Sequence, residues 1–160
     1  MKKLTIFLRF SLCIMLFFLT LICIFFFPNV LLFMALFKAN TILTIIFGIG
    51  LYASAIGSYT IIFFTWRILR SIDTNQIFTN SNIFSLNMIK LLGYSIAAIY
   101  MLMIPSILAL SDDGRSSTLG MFFVNIFLIG LGITIGVFAQ LLKRICSKIT
   151  KFQIENELTI

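Results

Sequence analysis

Five carboxylates, three cysteines and no histidine are all that this 160-residue chain holds for proton transfer, nucleophilic attack or metal binding. The carboxylates are Asp73, Asp112, Asp113, Glu155 and Glu157, and only Asp112 and Asp113 are neighbours. General acid–base catalysis needs its groups within hydrogen-bond reach of one substrate, and a nucleophile needs an activating base beside it. Carboxylates scattered over separate loops, with no imidazole, supply neither. Cys13 and Cys23 stand on one apolar stretch, about 15 Å apart along a helix and too distant to bridge. Cys146 stands alone in a basic segment. With no Cys-x-x-Cys pair, neither a zinc site nor a redox site is expected. Asp112-Asp113-Gly114 reads as a solvated reversal, with the glycine supplying the turn, ahead of a cation site. We therefore expect no catalytic, cofactor-binding or metal-binding residues, and no enzyme.

The segments that carry these residues are dominated by apolar side chains. Hydrophobic residues make up 61% of the chain and charged ones 11%, where a soluble domain has roughly 25% charged. Leu4 to Phe27 is one apolar run broken only by Arg9, and Thr41–Trp66, Leu91–Leu110 and Leu119–Leu142 have no charge at all. Each reaches the roughly 18–20 residues that cross about 30 Å of hydrocarbon. Backbone groups in lipid must be satisfied within the segment, and the alternation of a barrel strand is absent. The expected fold is all-α: an integral membrane four-helix bundle in one domain. Its spans run over about 6–27, 42–66, 91–110 and 119–142, with a loop over 67–90 and a tail over 143–160. The apolar stretch Val30–Phe37 after Pro28-Asn29 either extends the first helix past a kink or lies in the outer interface. The first run is too long for a secretory h-region and is expected to stay uncleaved. Bulky Leu12 and Ile22 precede Cys13 and Cys23, which argues against lipid attachment there.

Charge placement orients the bundle. Lys2, Lys3, Arg9, Arg67, Arg70, Lys90, Lys143, Arg144, Lys148 and Lys151 fall on one side, and only Lys38 and Arg115 on the other. Positive residues favour the cytoplasmic face, so both termini and the middle loop are expected there. The net charge of +7 then reflects topology and attraction to anionic lipid. No compact basic domain exists to bind nucleic acid directly.

No ionisable residue falls at mid-bilayer, which disfavours proton-coupled transport. The hydroxyls of Ser54, Ser58, Thr60, Ser95 and Thr134 are expected to bond to their own helix carbonyls. Asn125 and Gln140 are expected to hydrogen-bond to another helix. Gly50 and Ser54 share one face of the second span. Gly132 and Gly136 form a GxxxG on the fourth. Such faces let backbones approach, either within the bundle or in a homodimer, and packing within the bundle is favoured.

The segment "RILRSIDTNQIFTNSNIFSLNMIK" should prolong the second helix, turn near Asp73-Thr74-Asn75, and restart at a Thr79 cap. Ile77 and Phe78 are apolar residues in a polar turn, expected to plug the bundle end or to meet a partner. In the tail, Leu142, Ile145, Ile149 and Phe152 form an apolar helical face beside basic Arg144, Lys148 and Lys151. This is expected to be a basic amphipathic cytoplasmic helix that continues from the fourth span and bends onto the inner leaflet. The ending "ENELTI" then turns acidic and apolar.

The Lys-rich start, four spans, the stretch "SIDTNQIFTNSN" and the basic tail ending in "ENELTI" resemble the bacterial multi-pass membrane family known as domain of unknown function 2975. The resemblance implies a small protein of the bacterial inner membrane with no assigned reaction. It also implies frequent encoding beside a small helix-turn-helix regulator. On that basis the expected function is a membrane-bound partner of such a regulator. The candidate contacts are Asp73, Asn75, Phe78, Glu155, Asn156, Glu157 and Leu158. The alternatives are an immunity protein against peptide toxins, with Ser111–Thr118 as its contact region, and a passive channel or lipid-handling protein.

Overall fold

A computed structural model describes the backbone over residues 2–36, 41–73, 80–111 and 116–157, and the side chains within those stretches except near the helix ends. All of the described backbone is helical. The chain opens with α1 (Lys2–Leu21), a π-helical turn (Ile22–Phe26) and α2 (Phe27–Leu36), joined without a break. Three longer helices follow: α3 (Thr41–Asp73), α4 (Asn80–Ser111) and α5 (Ser116–Glu157). Among the described residues, four stretches are long and apolar enough to cross a membrane, at Thr5–Leu32, Thr44–Asp73, Ser81–Leu108 and Leu119–Thr150.

The course of the chain after Pro28 is settled in favour of helix extension. A proline lacks an N–H, and its ring crowds the carbonyl four residues back, here that of Ile24. The π turn widens the backbone just ahead of it, with the Phe27 N–H donating to the Ile22 carbonyl. Asn29 Nδ2 then donates to the Phe25 carbonyl at 2.8 Å. Residues 30–36 therefore continue the first helix and do not lie apart from it.

Consecutive long helices run antiparallel, and α4 packs against both α3 and α5. The core gathers Phe47, Leu51 and Ala55 of α3 with Ile96, Tyr100, Met103 and Ile107 of α4, and Phe27 closes it from the first helix. The first helix packs on α3 but makes no extensive contact with α5. Large apolar side chains such as Phe7, Phe63, Leu102, Phe123 and Phe127 point outward along all four spanning stretches. In water such a surface would drive aggregation, whereas in a bilayer it is ordinary lipid contact.

Glycine lets α4 and α5 approach closely. A Cβ on Gly93 of α4 would stand 2.9 Å from Gly136 N and 3.0 Å from Gly132 O, both backbone atoms of α5. A Cβ on Gly132 would meet Gly93 O at 2.9 Å. The two helices therefore touch backbone to backbone, and the Gly132/Gly136 face is filled by α4 of the same chain. On α3, a Cβ at Gly50 would meet Met103 Sδ at 2.7 Å, so that glycine makes room for a buried methionine. Gly130 has nothing within 4 Å of its Cβ direction.

The tail continues the fourth span as expected: α5 runs on as one helix of 42 residues to Glu157. From Val137 to Glu157 there is no glycine or proline to break it, and Leu, Lys, Arg, Gln and Glu are good helix formers. At 1.5 Å per residue the helix is about 63 Å long, roughly twice the hydrocarbon thickness.

Candidate functional site

The polar groups of this protein collect at the end of the bundle where α1 begins, α3 ends, α4 begins and α5 extends. Arg9, the one charge inside the first apolar run, reaches across to α3. Its Nη2 lies 2.6 Å from Asp73 Oδ2, and the two side chains are 34% and 30% exposed. The guanidinium also stands over the Trp66 ring, 5.6 Å from its centroid, a cation–π contact. Arg9 Nε is buried without a partner. Asp73, a candidate partner contact, is thus engaged within the chain.

Three further links tie the helices at this end. Arg67 Nη2 donates to Ser81 Oγ at 2.8 Å, joining α3 to α4. Lys143 Nζ donates to Asn87 Oδ1 at 2.8 Å, and Tyr94 OH donates to Gln140 Oε1 at 3.3 Å, both joining α4 to α5. Glu155, Asn156 and Glu157 form the last turn of α5. That turn is about 20 Å beyond Leu142 along the axis. Asn75, Phe78 and Leu158 lie outside the described residues, as do Thr79 and Ile77.

Deeper in the bundle the hydroxyls behave as their chemistry dictates. Ser58, Thr60, Ser95 and Thr134 each donate to the carbonyl four residues back, at 2.8–2.9 Å. Ser54 bonds to the Leu51 carbonyl at 2.8 Å and also meets Tyr100 OH of α4 at 3.0 Å. That pair is a buried polar link between α3 and α4.

Gln140 bonds to another helix, but Asn125 does not. Asn125 is 4% exposed, and its Oδ1 has no hydrogen-bond partner. It lines a cavity of about 260 Å³ whose other walls include Phe26, Phe47, Leu51, Met103 and Ile107. Apart from the Tyr100 hydroxyl, which Ser54 engages, these walls are apolar, and Asn125 Oδ1 finds no donor among them. A second cavity, about 330 Å³, lies between Leu12, Met15 and Leu19 of the first helix and the other three helices. Tyr100 and Leu128 line both cavities. Replacing Asn125 with leucine is expected to leave stability unchanged or raise it by about 1–2 kcal/mol, because an orphaned polar group is removed. Thermal unfolding in detergent checks this; a drop of several degrees would show that the amide has a partner.

Three contributors were not singled out from the sequence: Gly93, which stands four residues before Ala97, Tyr100, one aromatic among many, and Trp66, at the end of an apolar run. Among the described residues, no group of three His, Cys, Asp or Glu side chains comes together as a metal site would require. Nothing in the described geometry indicates a reaction.

The chain is 28% identical to the uncharacterized membrane protein YoaS of Bacillus subtilis (strain 168) over 159 residues, covering 98% of this chain and 97% of that protein. No solved structure matches it. Residues 35–160, from the end of α2 through α3, α4 and α5, match the family described as protein of unknown function (DUF2975). This multi-pass membrane protein belongs to the DUF2975 family.

Proposed function

We propose that this protein is a bacterial inner-membrane partner of a cytoplasmic helix-turn-helix regulator, with both termini and the 74–79 connection on the cytoplasmic side. The observation that carries the reading is the length of α5. Its last turn, holding Glu155, Asn156 and Glu157, stands about 20 Å past the apolar span on an unbroken helix. A helix of that reach presents a terminal patch to a soluble protein without leaving the membrane. The acidic residues there differ in sign from the basic stretch before them, which suits contact with a protein surface better than with anionic lipid. The tally of Lys and Arg supports the orientation, and the family resemblance supports the class of partner.

Capture through an N-terminal tag after in-cell crosslinking tests it. A small helix-turn-helix protein is expected in the recovered material, and removal of residues 155–160 is expected to abolish its recovery while the membrane protein itself persists. Recovery undiminished by the truncation would defeat the assignment of the contact to α5. A lipid-handling role is the second reading, favoured by the two apolar cavities that meet at Tyr100 and Leu128. Lipid movement between leaflets of reconstituted vesicles would reveal it.

A further inference from the structure

We propose that the groove between α4 and α5 at the basic end of the bundle binds the phosphate of an anionic phospholipid, with Lys90, Arg144 and Lys148 as its cationic contacts. The groove has a volume of about 610 Å³ and is walled by Lys90 of α4 and by Gln140, Lys143, Arg144 and Lys148 of α5. Four cations share it, and no carboxylate lines it. Of the acids whose side chains are described, the one at this end of the molecule is Asp73, which Arg9 already engages. Lys143 is held by Asn87, while Lys90, Arg144 and Lys148 have no acidic partner among the described residues. Like charges gathered without a counterion repel one another, and an anion placed among them relieves that repulsion through charge-assisted hydrogen bonds.

The depth of the groove selects a lipid over a free anion. Lys90 immediately precedes the uncharged run Leu91–Leu110, and Lys143 immediately follows the uncharged run Leu119–Leu142. The groove therefore sits where hydrocarbon gives way to headgroups, the level at which basic pockets between helices meet lipid phosphates. Leu141 and Ile145 also line it, and both side chains are exposed. They offer an apolar wall to the glycerol backbone and first acyl carbons that a free phosphate could not use. Arg144 and Lys148 are one helical turn apart on α5, so both can reach one phosphate from the same side.

The test uses the full chain in non-ionic detergent, where no membrane surface potential acts. Phosphatidylglycerol and phosphatidylcholine are titrated separately, and bound lipid is counted by native mass spectrometry. The wild type is expected to retain phosphatidylglycerol preferentially. The double variant Lys90→Gln/Arg144→Gln is expected to bind it about tenfold more weakly, and Lys2→Gln/Lys3→Gln, with the same loss of charge elsewhere, within about twofold of wild type. Equal weakening in both variants would reduce the groove to diffuse attraction and overturn the site. Equal retention of the two lipids would do the same. Displacement of the lipid by an equal concentration of inorganic phosphate would overturn the assignment to a lipid.

Discussion

Gly93→Leu is expected to prevent α4 and α5 from assembling, and Gly93→Ala to cost about 1–3 kcal/mol, the usual range for inserting atoms into a filled interface. The expectation rests on what the new atoms would meet. A Cβ at this position would lie 2.9 Å from Gly136 N, 3.0 Å from Gly132 O and 3.2 Å from Gly136 Cα. None of these is a flexible side-chain end that can swing aside, so the only relief is to move one helix away from the other. That motion would lengthen the Tyr94–Gln140 and Lys143–Asn87 hydrogen bonds, which span the same two helices. It would also loosen the dispersion contacts that hold membrane helices together when no hydrophobic drive acts between them. Gly130→Ala is the control, since a Cβ there meets nothing within 4 Å. It should be neutral or stabilise by up to about 1 kcal/mol through helix propensity. Thermal unfolding in detergent, followed by circular dichroism, separates the two. Should Gly93→Ala unfold with the wild type, the helices are not as close as described.

Asp73→Arg is expected to release the first helix from α3 at the basic end. It replaces an ion pair with two facing cations. The partners are about one-third exposed, so solvent screening holds the loss to about 1–2 kcal/mol. The effect should nevertheless be visible, because the first helix has few other attachments. It packs on α3 alone among the long helices to any extent, and most of its large side chains face outward. Trp66 reports the change directly: it is the only tryptophan in the chain, and Arg9 stands over its ring. Its emission is expected to shift in Asp73→Arg and to return in the double exchange Arg9→Asp/Asp73→Arg. An unchanged spectrum in the single variant would mean that the pair does not form in the bilayer. Both single and double variants keep the apolar spans intact, so insertion itself should be unaffected.

The class of this protein was legible in the residues because partition into lipid is nearly a per-residue property. An uncharged run of twenty or more residues must cross or be buried, whatever its neighbours do. The hydroxyl bonds were equally legible, since Ser58, Thr60, Ser95 and Thr134 find their acceptors one turn away on the same helix. The continuation of α5 past the fourth span was legible in the three-four-three spacing of Leu142, Ile145, Ile149 and Phe152.

What the sequence alone determined is therefore local: helical spans, their number, and the end of the bundle at which the charges collect. Only the tertiary structure decided which surfaces meet. Arg9 and Asp73 are 64 positions apart, and nothing around either one names the other. Gly132 and Gly136 carry a recognisable motif, yet nothing in it names its counterpart on α4, Gly93 with Ala97 beside it. Gln140 found Tyr94, while Asn125, an equally polar amide on the same helix, faces an apolar cavity. These outcomes depend on the relative rotation and depth of neighbouring helices. Both are set by backbone contact at a few small residues and propagate along rigid rods, so no single stretch of sequence contains them.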